Sequence, residues 1–414
     1  MRAPSMILLL LAMFLAQGAI AADIALTHAR IYASPEADAI ADGTVLIHGG
    51  RIQRMGPGSE VSVPSAAKVI DLRGAVVTAG FWNSHVHLLT PAFLHADKHS
   101  NADLSQALTQ MLTRWGFTTV FDISSQLTNT LEIRRRVSDG EVMGPKILTV
   151  GDPFFPKGGT PIYVKQFMKD NGFPNEEITD LSAAVARVHR QIHAGADGVK
   201  LFAGAIVGGK IGVLPMPLDQ ARALVAAAHA DGKPVFAHPS NLDGLNVSID
   251  SGVDILAHTT PDSGPWSAEL TGRVLAHHMA LIPTLTLFEV ELKRSHAPET
   301  ELKRFMDDDV QQVDAYAKAG GQILFGTDVG YIDVFDTTEE YRQLGRVLDW
   351  RQILTALTMA PAQRFGFAAH KGRLAPGMDA DLVVLQADPA KDVTAFARVG
   401  MTIRRGQPIF EAGS

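Results

Sequence analysis

From about residue 78 onward the chain alternates short apolar runs with helix-length amphipathic stretches, and this alternation constrains the fold more than any other feature. Candidate strands are Phe81–Ser84, Thr118–Ile123, Lys146–Val150, Gly198–Phe202, Pro234–Ala237, Asp254–Ala257, Leu281–Thr284 and Gln322–Gly326. Between most of them lie helical runs such as "LSAAVARVHRQIHAG" and "PLDQARALVAAAHADG". Each closes on a glycine, which takes the left-handed conformation of a helix end at little cost. Strands that alternate with helices bury a parallel sheet beneath those helices. Eight such units over about 290 residues predict an α/β fold of the (β/α)8 TIM-barrel type rather than an open doubly wound sheet. No G-x-G-x-x-G follows the first strand, so the dinucleotide-binding alternative lacks its signature.

The flanking segments have a different texture. Residues 22–77 show short alternating strands punctuated by Gly and Pro, and "DGTVLIHGGRIQRMG" reads as a hairpin turning at Gly49-Gly50. After Gly372, "KGRLAPGMDADLVVLQADP" and "ARVGMTIRRGQPIF" return to β texture. These two segments, 22–77 and 372–414, predict a small discontinuous β-sandwich domain around a barrel domain spanning 78–371. The polar stretch from Glu291 to Gln312 reads as a charged helix broken at Pro298.

Residues 1–21 carry Arg2, an apolar run from Met6 and the small-residue site Ala19-Ile20-Ala21. That pattern predicts a signal peptide cut after Ala21 and a periplasmic or secreted protein, with no membrane attachment after cleavage. The chain has no cysteine, so it forms no disulfide and any metal must be held by N and O ligands. A net charge of -7 without a Lys/Arg block argues against nucleic acid as a partner.

"FWNSHVHLL", residues 81–89, places His85 and His87 one residue apart. On a helix they would diverge by about 200°. On a strand they share a face. Barrel active sites are built at the C-terminal ends of the strands. His85 and His87 end the first candidate strand, and Lys200 in "GADGVKLF" lies on the fourth. His238 ends the fifth, His258 the sixth, and Asp328 in "ILFGTDVG" follows the eighth. Taken singly, His238 and His258 read as satisfied core histidines; their common register with the others points to a metal centre. Four imidazoles and one carboxylate suit Zn2+ or a similar divalent ion. An unmodified Lys200 ammonium would be repelled by such ions. As a CO2-derived carbamate it becomes an anion with two oxygens, able to bridge two metals.

This series resembles the amidohydrolase superfamily in its binuclear form, in which the strand-four lysine is carboxylated. "GRLAPGMDADLVVL" matches the C-terminal β signature of that family. "VVTAGFWNSHVHL" is similar to its P-G-x-x-D-x-H-x-H run, with Ala79 in place of the usual Pro and Asn83 in place of the usual Asp. "GADGVKLF" and "FGTD" look most like the imidazolonepropionase-related group. That group includes Xaa-Pro dipeptidases, carboxypeptidase-like enzymes releasing basic residues, and hydrolases of N-acyl amino acids.

The resemblance implies that His85, His87 and Asp328 hold one metal, that His238 and His258 hold the other, and that carboxylated Lys200 bridges them. It implies hydrolysis of a C–N amide bond by a bridging hydroxide, with Asp328 as proton shuttle. The expected substrate is a small amide or peptide, such as an Xaa-Pro dipeptide or an N-acyl amino acid; a homo-oligomer is compatible with this reading. Tyr163 either stabilises the oxyanion or grips a substrate carboxylate, or it is a packed loop tyrosine.

Cyclic-amide hydrolases keep the lysine and stay open as a rival. Deaminases often use one metal and lack it, and non-catalytic relatives typically lose ligands. His189 and His193 form "HRQIH", in which Arg190 stands where a zincin has its glutamate. His277 and His278 precede strand seven at the opposite rim. His95, His99, His229, His296 and His370 match no ligand position. Lys157, Lys165, Lys210 and Tyr331 fall on rim loops, where they could recognise a terminal carboxylate but read more readily as solvated positions.

Overall fold

The computed structural model describes residues 23–413. The expected signal peptide lies outside them. Among the described residues no helix is long and apolar enough to cross a membrane.

The central strands are β1 (Phe81–Val86), β2 (Phe117–Asp122), β3 (Lys146–Thr149) and β4 (Val199–Leu201), followed by β5 (Val235–Ala237), β6 (Ile255–Leu256), β7 (Ala280–Leu281) and β8 (Gln322–Ile323). They pair in parallel as a five-stranded sheet, β8-β7-β6-β5-β4, and a three-stranded sheet, β1-β2-β3. Lys200, Phe236, Ile255, Ala280 and Gln322 stand at one level across the larger sheet. Helices connect the strands. Leu181–Ala194, for example, starts on an Asp180 side chain that accepts from Ala183 N and ends on left-handed Gly195.

One continuous closed ladder is not formed, which corrects the expectation of a regular eight-stranded ring. At the junctions the ladder breaks down to single parallel bridges, Val86 to Val329 and Phe154 to Leu201, with scattered backbone hydrogen bonds such as Ser84 N to Phe325 O and Asp197 N to Thr149 O beside them. The backbone explains this. Asp328 has φ 59 and Gly151 φ 72, so neither segment stays extended, and Pro153 has no N–H to give a ladder.

One apolar cluster nevertheless draws Trp82, Phe121, Leu148, Phe236, Ile255 and Ala280 from six of the strands and packs them on Phe365 and Phe367. Each large aliphatic or phenylalanine side chain so buried contributes about 1.5–3 kcal/mol. This packed floor closes the N-terminal end of the strands, so a ligand must enter at the C-terminal rim. Strand β7 ends two residues before Pro283, earlier than its apolar pattern predicts, because proline cannot continue the ladder.

Segments from both ends of the chain share one mixed eight-stranded sheet. Leu382–Leu385 lies antiparallel to Val76–Ala79, and Lys68–Asp71 branches onto Ile24–Ile31. The pairing joins both segments in a single branched sheet. Its faces alternate. Val77, Ala79, Leu382 and Val384 enter the sheet's own core, whereas Val383, Leu385 and Val399 pack into the main core with Phe81 and Phe117. Burial on both faces is why "DLVVL" is a continuous apolar run. Gly49 and Gly50, at φ 57 and 79, form the hairpin turn between Ile40–His48 and Arg51–Pro57.

At the rim, residues 162–170 form a helix with no fully buried side chain, and Gly204–Gly208 pairs with Gly212–Pro215 as a hairpin. The polar stretch around Pro298 forms two helices, Leu285–Arg294 and Glu299–Lys318.

Candidate metal centre

The fold places His85 at the end of β1 with His87 just beyond, Lys200 within β4, His238 directly after β5, His258 two residues after β6, and Asp328 in the turn after β8. The four histidines and Asp328 stand at or beyond the C-terminal ends of their strands, and Lys200 lies midway along the short β4. His85 and His87 do share a side: their Nε2 atoms lie 3.3 Å apart. Asp328 Oδ1 is 3.0 Å from His85 Nε2 and 2.8 Å from His87 Nε2. One ligand atom each of His85, His258 and Asp328 lie within 4.8 Å of one another. The His238 ring packs edge-on against His258 at 4.4 Å and stacks on Phe202 at 4.9 Å. Lys200 is only 1% exposed.

The hydrogen bonds fix which nitrogens face the centre. His87 Nδ1 lies 3.1 Å from the Ser124 carbonyl, which can only accept, so Nδ1 carries the proton and Nε2 presents a lone pair. The Thr284 hydroxyl donates to Pro283 O at 2.7 Å, so its oxygen accepts from His258 Nδ1 at 2.8 Å. That again frees Nε2. Asp328 Oδ1, despite its two short approaches, makes no aligned hydrogen bond and stays an orphaned buried acceptor. Donor atoms that crowd a common point, with Asp328 Oδ1 among them left without a hydrogen-bond partner, are the arrangement a cation would complete.

Protonation agrees with this. Burial pushes His85 down to about 4 and holds His238 and His258 well below the usual imidazole range. All three are therefore neutral at pH 7, the state a metal requires. Burial alone would raise the Asp328 carboxyl; the His85 and His87 imidazoles outweigh it and hold the group well below the carboxylate range. Burial lowers Lys200 to about 7, so much of it is a free amine near neutrality. The residues fit a divalent cation.

The other singled-out residues fall elsewhere. Tyr163 lies on the rim helix, 36% exposed, with its ring edge-on to Tyr331 at 5.2 Å. Tyr331 N donates to Asp328 O at 3.2 Å and Tyr163 packs on the Tyr331 ring, which sets both beside the centre. Lys157, Lys165 and Lys210 are exposed. His189 is held by Asp231 at 2.7 Å and His229 by Asp254 at 2.8 Å, away from the centre.

Two supporting residues escape sequence reasoning. Thr284 pins His258, and its signal was available, since it ends the one late strand to which no ligand is assigned. Glu340 is fully buried and accepts from Leu285 N and Thr286 N, at 2.9 and 2.8 Å, anchoring the helix that follows Thr284. Burial pushes its carboxyl up to about 7 from 4.5. The folded state then binds more protons than the unfolded state between pH 4.5 and 7. This contribution to stability is full below 4.5 and lost as pH rises through 7. Glu340→Gln is expected to shrink the fall in Tm between pH 5 and pH 8, with an upper limit on the order of 3 kcal/mol. An unchanged pH dependence would remove Glu340 as its source.

The Amidohydrolase family model matches residues 76–409. An uncharacterized protein of Mycobacterium tuberculosis is 26% identical over 359 residues, covering 83% of this chain and 88% of its own length. A protein from Bifidobacterium longum, provisionally named a prolidase, has a solved structure at 26% identity and TM-score 0.78, covering 95% of this chain and 96% of that one. A Xaa-Pro dipeptidase solved with methionine in its active site superposes with TM-score 0.78 over 94% of this chain and 100% of its own; at 21% identity that likeness is one of fold. A family match over residues 76–409, with a rim of histidines closing on one buried carboxylate, makes the chain a hydrolase of the amidohydrolase family.

Proposed function

We propose that this protein is an exported, binuclear metal-dependent amidohydrolase that cleaves the C–N bond of a dipeptide such as Xaa-Pro or of an N-acyl amino acid. The carrying observation is the convergence of His85, His258 and Asp328, with His87, His238 and Lys200 around them. The B. longum relative supports the substrate class, and the N-terminal signal pattern supports export. In this reading residues 78–371 act as one barrel domain, with its two parallel sheets as parts of one ring, and residues 22–77 and 372–414 form the accessory β domain.

His85, His87 and Asp328 would hold one ion, His238 and His258 the second, and a carbamate on Lys200 would link them. Bound divalent ions supply Lewis acidity at the carbonyl and bring the pKa of water toward 7. Asp328 then performs the proton work: its anionic carboxylate accepts a proton from the attacking water and returns it to the leaving nitrogen. The packed floor of the strands limits access to the rim, where Tyr163 and Tyr331 meet the substrate.

The test is a turnover screen of Zn2+-loaded enzyme against Xaa-Pro and other dipeptides, N-acyl amino acids and cyclic amides. Turnover confined to linear amides is the expected result. Turnover of cyclic amides alone, or metal-free protein after supplementation, would overturn it.

A further inference from the structure

We propose that Asn83 and Thr327 form a clasp across the junction of β1 and β8 that positions His85 and Asp328, making Asn83 a positioning residue of the metal centre. The inference rests on the metal-centre reading above but uses contacts independent of it. Asn83 is 0% exposed. Its Oδ1 accepts from His85 N at 3.2 Å, and its Nδ2 donates to Thr327 Oγ1 at 2.8 Å. The amide orientation is forced, because a backbone N–H can only donate and so must face the oxygen. One end of the side chain thus holds the backbone of a candidate ligand. The other holds the residue immediately before Asp328.

What the clasp restrains is strained. Asp328 sits at φ 59, a left-handed conformation that costs a non-glycine residue on the order of 1–3 kcal/mol. Two residues on, Gly330 has φ 100, and a Cβ there would meet His87 O at 1.8 Å. The turn is therefore pressed directly on β1. Ser84 N donates to Phe325 O, Asp328 N to His85 O and His87 N to Val329 O, at 2.8, 2.9 and 2.8 Å. Thr327 Oγ1 also accepts from Val329 N at 3.3 Å, which ties both sides of Asp328 to the clasp. Such conformations persist only where the surroundings over-determine them. Asn83 supplies that restraint from the opposite strand.

The chemistry of the pair sets the test. A carboxylate at 83 keeps the bond from His85 N and can accept from Thr327 if that hydroxyl turns to donate, so Asn83→Asp preserves both links. Asn83→Leu removes both, and Thr327→Val removes one. In metal-free protein, Asn83→Leu is expected to speed amide exchange in the 324–330 peptide by about tenfold, without change in β5 or β6. By competitive Zn2+ titration, one equivalent should bind about 10–100-fold more weakly. Asn83→Asp should restore both readouts to within about threefold. Should the leucine variant fail to fold, Thr327→Val carries the same expectations.

Unaltered exchange together with unaltered affinity in the loss variants would overturn the clasp, as would an aspartate variant as impaired as the leucine one. If wild-type protein binds no metal, the metal-centre reading fails, and the exchange measurement still decides the clasp.

Discussion

Asp328→Asn is expected to lower kcat by about 10³-fold or more in metal-loaded protein while leaving the fold in place. The side chain has nearly the same volume, and the left-handed backbone at φ 59 suits Asn as well as Asp. The chemistry is what changes. Asp328 Oδ1 is the buried carboxylate oxygen that His85 and His87 approach within 3.0 and 2.8 Å, and the group is held well below the usual carboxylate range. An amide cannot take up a proton, and it offers a neutral oxygen where the centre has its carboxylate. General acid–base participation accounts for about 10²–10⁴ of rate, so the loss should appear chiefly in kcat. Metal content and circular dichroism measured beside the kinetics separate lost proton transfer from lost binding. A decrease below about tenfold with metal retained would remove Asp328 as the proton carrier.

The ligand rim is legible in the sequence because two periodicities coincide there. Side chains two apart on a strand share a face, and each ligand closes an apolar run, so His85, His87, His238, His258 and Asp328 can be placed without knowing how the strands pack. What escapes is what depends on contacts between distant segments. Thr284 holds His258 only because Pro283 ends β7 early and the chain then turns left-handed, φ 53. The rim helix Ile162–Asp170 has no fully buried side chain, so its place is not set by the core. Asn83 stands out in the sequence only as a departure from a family pattern. Its part in the fold depends on Thr327, 244 residues away. The interrupted ring has the same origin, since the left-handed turn that presents Asp328 is incompatible with a continued ladder at that junction.

Lys200→Ala is expected to reduce kcat by about 10³-fold, equivalent to about 4 kcal/mol, and to cost the protein one of two bound metals. Lys200 is 1% exposed, and among the described residues no carboxylate lies within ion-pair distance of its ammonium. A charged amine in that setting is a liability, which is why burial lowers it to about 7. The depressed pKa leaves free amine available to CO2, and in the proposed binuclear centre a carbamate there would exchange a repelled cation for an anion. The unmodified lysine also predicts a stability trend. Between pH 7 and 10.5 the unfolded chain binds more protons at this group than the folded one, so metal-free protein should gain stability as pH rises through that window. Lys200→Met should flatten that rise, which a pH series of Tm would show. In Lys200→Ala the vacated volume admits a small carboxylate, so formate, acetate or propionate should restore part of the activity and the second metal together. Restoration of both by the same acid would tie the lysine's role to an anionic oxygen donor. Full activity of the alanine variant without added acid would exclude the bridge.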